Sequence, residues 1–419
     1  MKFSRYVALE LGSSSVDPLG FLRPSGALSR QLFPQFTVLS NHPSYQGFLA
    51  FSYRFLEREG VTPAKREFAR RFRDLEILWG TLNARAGTSV TNITKFSRLS
   101  GEDDLKLSQA KKRSWLYARL NYGALGHYSN PSIAWRILEP DGSRLSEVGN
   151  RLADSWSSRQ NTDFEDLAKK WWKDEAVFSS SSYAEYPDKF QLGSAPSIDE
   201  ERVWAELIEL TCKNNTPTAP LWKLPLLQKT IKLWKDEQNY PDYFPSILQH
   251  FNGYPELCRR IKLCEHFELM AGMIQFVFEW EYVKRLDEVK TFGFNPGKLP
   301  EMVSKLLTQV AISFVNESPS EMWGLPSRFA DGCNYEEICR HVLAHHAVHQ
   351  RNKGAAAFIV DGQIAVQERV DAADFKRFFE RLSDIKFIDQ VSNAIRWRYK
   401  RDWHFGRADL WMAYSRGFK

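Results

Sequence analysis

The sequence predicts a mainly α, multi-domain helical protein with one small β-hairpin near its C-terminus, and three observations point there. Ala64, Phe68, Phe72, Leu75 and Trp79 recur at steps of three and four, which gathers them on one helical face. From Ser197 to Glu317 the chain reads as helix interrupted at Pro217, Pro220, Pro241, Pro255 and Pro296. The strongest strand signal is Ala355 to Glu368, centred on Asp361-Gly362, a dipeptide suited to a two-residue type I′ turn. That turn sets Ile359 opposite Ile364 and Ala357 opposite Val366, so one face is apolar.

Taken in order, the first forty residues are loop-rich, and Asn41 to Glu59 reads as a helix. Thr62-Pro63 offers a hydroxyl cap and a proline suited to a first helical position, so the next helix is expected to start there. Its polar side carries Lys65, Arg66, Arg70 and Arg73, either a solvated basic face or a phosphate-contacting one. Lys111-Lys112-Arg113 leads into a further aromatic helix through Trp115, Tyr117 and Tyr122. Four serines at 179–182, with Pro187, Gly193 and Pro196, mark a loop or boundary. Ser197-Ile198-Asp199-Glu200 is a helix entry with acids in the first turn. Asn334 to Arg351 is a helix, the hairpin follows, and helix resumes from Asp374. The expected division is 1–140 as an N-terminal helical domain, 141–200 as an irregular region or linker, 201–330 as a central helical domain, and 331–419 as a basic helix–hairpin–helix domain.

Composition bounds the class. The 419 residues are 43% hydrophobic and 26% charged, enough apolar material for real cores. Aromatics reach 14%, with 14 Trp and 29 Phe, a surplus that suits either heavy packing or stacking on bases. The five cysteines, Cys212, Cys258, Cys264, Cys333 and Cys339, are an odd set that reads as reduced thiols. With no apolar leader after Met1-Lys2-Phe3-Ser4-Arg5, the expected location is cytoplasmic. The most apolar run, Leu269 to Trp280, is broken by Gln275 and Glu279 and is too short to span a bilayer; it reads as a buried helix. No membrane partner and no cofactor are implied.

The segment Val16-Asp17-Pro18-Leu19-Gly20-Phe21, followed by Leu32-Phe33-Pro34-Gln35-Phe36-Thr37-Val38-Leu39, resembles the start of a group of prokaryotic helical proteins encoded in anti-phage defence clusters. The resemblance covers about the first fifty residues. It implies a bacterial defence or DNA-processing role beside helicases, methyltransferases or nucleases, and carries no catalytic residues with it.

Three readings compete for the helix at 334–351. His341, His345 and His349 span about 80° of one face, and imidazoles one turn apart can chelate a metal ion, although the HExxH glutamate and a CxxC pair are missing. Arg340 followed by His345 is similar to the motif of HEPN ribonucleases, which implies a metal-independent ribonuclease with Arg340 on the scissile phosphate and His345 moving protons. A helix carrying Arg340, His346, Gln350, Arg351, Asn352 and Lys353 ahead of a hairpin also has the order of a winged helix, with that helix in the major groove.

The tail is the densest cluster. Arg396, Arg398, Lys400, Arg401, Arg407, Arg416 and Lys419 face only Asp402 and Asp409, and Trp397, Tyr399, Trp403, Phe405, Trp411 and Tyr414 interleave them. Cations that neutralise phosphate beside rings that stack on bases form a nucleic-acid-binding pattern. A terminal helix with docked rings and solvated arginines would share it. No GxxxxGK loop ending in Ser or Thr, no GxGxxG and no GxSxG is present, and Glu288-Val289-Lys290 lacks a convincing upstream strand aspartate. The sequence therefore points to a non-catalytic nucleic-acid-binding subunit of a larger complex, DNA ahead of RNA, with other protein subunits as partners. A metal-independent ribonuclease and a pure protein-interaction scaffold are the alternatives.

Overall fold

The computed structural model describes residues 17–35, 42–64, 67–87, 105–113, 123–158, 164–175, 194–213, 219–223, 226, 228, 232, 243–285, 299–317 and 324–365. In chain order the helices are α1 (Leu22–Leu32), α2 (Ser44–Arg58), α3 (Phe68–Arg85), α4 (Leu107–Arg113), α5 (Ala124–Ala134), α6 (Glu147–Ser157), α7 (Phe164–Trp172), α8 (Ile198–Lys213), α9 (Tyr243–His250), α10 (Pro255–Val283), α11 (Leu299–Glu317), α12 (Ser327–Ala330) and α13 (Tyr335–Asn352). Strands β1 (Ile359–Val360) and β2 (Gln363–Ile364) close the described chain, and a 3-10 turn spans Ala219–Trp222. The fold is mainly α. No described helix is long and apolar enough to cross a membrane.

The described residues fall into two compact units, and they are not cut where the sequence suggested. Residues 17–32 group with 243–365, and residues 33–232 form the other unit. The N-terminal segment therefore leaves the rest of 1–140. The reason is apolar: Leu19, Phe21 and Leu28 are buried in the same core as Leu263, Phe267, Met270, Ile274 and Val277 of α10.

In that unit α10 is the central element, packed by α1, α9, α11 and α13. Pro255 stands at its first position, where no amide donor is needed. Its middle turns are apolar almost all round, with Met270, Ala271, Met273, Ile274, Phe276, Val277 and Phe278 all buried, which is how a helix surrounded by protein reads. Leu269 to Trp280 is thus the buried helix that the sequence indicated.

The other unit is organised by aromatic rings. Trp79, Trp135, Trp156, Trp171, Trp204 and Trp222 are fully buried. Phe48 stacks on Trp79 at 4.5 Å, Tyr45 on Tyr128 at 4.6 Å, and Trp135 meets Trp222 edge-on at 5.0 Å. Such pairs add about 0.5–1.5 kcal/mol each beyond the area they bury. The α2–α6 contact depends on Gly47, because a Cβ there would collide with the Trp156 indole. For these residues the aromatic surplus is spent on packing, not on bases.

Two local expectations need correction. Residues 141–200 are not simply linker: α6 and α7 lie there, with Trp156 and Trp171 in the core, and α6 is capped by the Ser146 hydroxyl accepting from Gly149 N–H. Val148, Leu152 and Trp156, and Phe164, Leu167 and Trp171, recur at the steps of three and four that mark a buried helical face. Nor does the helix after Thr62-Pro63 start there. Gly60 N–H to the Glu57 carbonyl and Val61 N–H to the Leu56 carbonyl close α2, the buried Val61 anchors the exit, and α3 begins at Phe68. Phe68, Phe72, Leu75 and Trp79 share the buried face as expected, while Ala64 is exposed outside the helix. The Ser197 entry holds, its hydroxyl accepting from Glu200 N–H at 3.2 Å.

Arg73 also departs from expectation. It is 1% exposed and its guanidinium pairs with the Glu76 carboxylate one turn on, which in turn accepts the Ala124 N–H at 2.8 Å. Burial pushes the Glu76 carboxyl up, and Arg73 opposes that. Removing one partner of such a pair strands the other charge. Arg73→Met is expected to cost about 3–5 kcal/mol in urea unfolding. Adding Glu76→Gln, which keeps an acceptor for Ala124, should recover most of it. Equal losses in the single and double variants would show that the pair is not what holds this site.

Candidate nucleic-acid interface

α13 is the helix on which three sequence readings met, and its ends are well defined. The Asn334 side chain accepts from Glu337 N–H at 3.0 Å and the Glu337 carboxylate accepts from Asn334 N–H at 2.9 Å, a reciprocal capping box. Ile338, Cys339, Val342, His346 and Gln350 make its buried face. Cys339 donates its thiol proton toward Glu281, whose carboxylate Lys284 and Arg285 also hold. Burial and that carboxylate push the Cys339 thiol up to about 12, so it is a packed thiol, not a nucleophile.

The opposite face looks outward. Arg340, Ala344, Val348 and Arg351 are exposed. Eleven residues make three turns, so Arg340 and Arg351 are offset by only about 20° and lie about 16 Å apart along the axis. Lys353 is exposed as well, with its ammonium 3.2 Å from the Asp17 carbonyl. Of the residues expected on a major-groove face, His346 and Gln350 point the other way, into the unit.

The histidines form a row that grips main chain. His345 Nε2 is 3.0 Å from the Leu19 carbonyl, His346 Nδ1 is 2.8 Å from the Pro18 carbonyl, and His349 Nε2 is 3.0 Å from the Asp17 carbonyl. Gln350 Nε2 donates to the Pro18 carbonyl at 3.1 Å. Because a carbonyl only accepts, each of these ring nitrogens is the N–H donor. The His345 and His349 rings lie nearly parallel at 6.2 Å, and His341 sits edge-on to Phe329. With the Nε2 atoms of His345 and His349 turned to carbonyls, the row does not converge on an ion. Among the described residues no group of three or more His, Cys, Asp or Glu side chains is placed to hold a metal. Burial pulls the His345 pKa down, and its ring is committed to Leu19, which leaves the Arg340–His345 ribonuclease pairing without support from this geometry.

The turn so gripped is the Asp17–Phe21 stretch of the N-terminal motif. Asp17 Oδ1 accepts from Phe21 N–H at 2.8 Å and so shapes the entry to α1. Gly20 adopts a φ of +75°, and a Cβ there would stand 3.1 Å from the His349 ring. The carbonyls of Asp17, Pro18 and Leu19 are the functional groups that sequence reasoning missed; Pro18 and Gly20 flanking Leu19 were the available signal for a tight turn.

After α13 comes the hairpin in the expected register, Ile359 opposite Ile364, with Asp361 at φ 50° and Gly362 at φ 75° as a type I′ turn requires. Phe358 and Ile359 are buried, and the Gly362 carbonyl accepts from Arg285 Nε at 3.2 Å. Val366 lies outside the described residues.

On α3, Arg70 is exposed, whereas Arg71 pairs with Glu67 at 2.6 Å and lies 4.5 Å over the Trp172 ring. Arg73, buried against Glu76, presents nothing to a phosphate. Lys111 pairs with Asp74 at 3.1 Å. Lys65, Arg66 and the whole tail with Arg396, Arg398, Lys400, Arg401, Trp403 and Arg407 lie outside the described residues, as does Glu288-Val289-Lys290. No family model, curated protein or solved structure matches this chain.

Gly20 tests the grip on the N-terminal turn. Gly20→Ala forces a side chain into the left-handed region and against the His349 ring, and is expected to cost about 1–3 kcal/mol. Urea unfolding with limited proteolysis should show residues 17–32 becoming cleavable before the helices of the other unit. A variant as stable and as protease-resistant as the parent would remove this account of the turn.

Proposed function

We propose that this chain is a non-catalytic nucleic-acid-binding subunit of a prokaryotic anti-phage defence or DNA-processing complex. The observation that carries the reading is the outward face of α13, where Arg340 and Arg351 flank Ala344 and Val348 immediately before a hairpin. Two arginines set about 16 Å apart along a helix axis can each reach a phosphate bordering a B-form major groove, which is about 12 Å wide and admits a helix. The short apolar side chains between them suit the groove floor, where thymine methyls lie. The hairpin then takes the place of the wing.

This reading favours DNA over RNA, because the A-form major groove is too deep and narrow for such a helix. The tail adds to it from sequence: seven cations against two acids between Arg396 and Lys419, interleaved with rings. The resemblance of the Val16–Phe21 and Leu32–Leu39 segments to defence-cluster proteins supplies the biological setting, and partner subunits follow from that setting.

Each lost phosphate contact lowers the slope of log affinity against log salt by about 0.9. Arg340→Glu with Arg351→Glu is therefore expected to weaken duplex binding and flatten the slope by about 2. Arg396→Glu, Arg398→Glu and Lys400→Glu together should flatten it further. Fluorescence anisotropy across a salt series reads both. Unchanged affinity and slope in both variants would remove the nucleic-acid reading, and partners that survive nuclease in a pull-down would then favour a protein scaffold.

A further inference from the structure

His346 joins three parts of its unit through one ring. It is 0% exposed on α13. Its Nδ1 meets the Pro18 carbonyl at 2.8 Å, and its Nε2 meets the Phe358 N–H at 2.9 Å. A carbonyl only accepts and an amide N–H only donates, so Nδ1 carries the proton and Nε2 is bare. The neutral ring in this one tautomer satisfies both partners. A second proton would set a donor against the Phe358 donor and leave the bond impossible.

The surroundings do little for a charged ring. Phe278 of α10 lies 4.5 Å away and Phe358 5.0 Å away, centroid to centroid. Both ring nitrogens are occupied, so no carboxylate bonds to them. On the N-terminal turn, Asp17 directs a carboxylate oxygen to Phe21 N–H, and Lys353 reaches the Asp17 carbonyl. Along α13 the neighbours are His345 and His349, and Arg328 of α12 acts on His345; these are cations or groups that become cations. On α10, Glu281 is held by Lys284, Arg285 and Cys339. Asp361, at the hairpin turn, is exposed. Burial first, then the neighbouring imidazoles, hold the His346 pKa below the ordinary histidine value.

We propose that His346 is a proton-operated latch, holding the N-terminal turn and the hairpin on α13 when neutral and releasing both when it takes up a second proton. The sign follows from linkage. A histidine kept neutral by the fold contributes its full stabilisation above the ordinary value of about 6.5. That contribution falls as pH drops below about 6.5 toward the depressed folded value, because the open state binds the proton first.

Hydrogen exchange of the full chain at pH 7 and pH 5, corrected for intrinsic rates, reads the latch. Opening of peptides covering 17–32 and 355–365 is expected to rise by up to about tenfold for each pH unit below about 6.5, one proton being taken up. Peptides in α2 and α6 should not follow. His346→Gln keeps one donor and one acceptor without titrating, and should flatten the response. The latch is overturned if the native chain shows no acid-dependent opening there, if all peptides open alike, or if His346→Gln responds as the parent does. Should that variant not fold, ring nitrogen shifts of His346 in the native chain decide: Nε2 protonation must coincide with loss of Phe358 amide protection, and protonation without that loss refutes the latch.

Discussion

The arrangement of the first unit depends on three consecutive carbonyls, those of Asp17, Pro18 and Leu19, being met by donors from α13. A tight turn is a poor place to bury backbone, because its carbonyls have no ladder or helix to accept from and each one left unmet costs about 1–3 kcal/mol. Imidazoles solve this without importing a fixed charge. They reach from a helix surface, they donate one directional bond, and they stay neutral when buried. With the turn satisfied, Leu19 and Phe21 can enter the core of α10 and draw α1 after them.

The second unit solves the corresponding problem by other means. Its core is dominated by indole and phenyl rings, and its buried polar groups pair within α3 and across to neighbouring helices: Arg73 with Glu76, Glu76 with Ala124 N–H, Trp171 Nε1 with the Asp74 carbonyl at 2.8 Å. A buried ion pair is seldom a net gain over well-packed apolar groups, but once present neither partner can be removed alone. That is why a residue which composition places on a basic face is instead a fixed internal strut.

Much of the fold was legible because its signals are local. The Ser197 helix entry, the Asp361-Gly362 turn with its register, and the α3 face at Phe68, Phe72, Leu75 and Trp79 all lie within a few residues of the groups they specify. The role of the histidines was not legible. Periodicity placed His345 and His349 on one face but could not say what occupies that face, since their partners lie 326 and 332 residues away in the chain. Arg73 failed for a related reason: its partner at i+3 was visible, but only packing decides whether an i,i+3 pair sits in water or in a core. α6 and α7 were legible in principle, since Val148, Leu152 and Trp156, and Phe164, Leu167 and Trp171, recur at helical steps, but they lie in the stretch that the neighbouring serines, prolines and glycine marked as a boundary.

One helix thus has a buried face and an exposed one, and the inner one sets the outer. A helix is a rigid cylinder about its axis, so fixing His346 and Gln350 inward fixes Arg340 and Arg351 outward, about 100–120° around the axis from them. The side chains that grip the N-terminal turn therefore also determine the direction in which the guanidinium groups are presented. The last turn of α13, where Arg351 and Lys353 stand, is anchored through His349 and Gln350, while Ile338, Cys339 and Val342 hold its earlier turns in the core. The carbonyls of residues 17–19 and the cationic face are thus joined to the same helix, the first through its inner side chains and the second on its outer side.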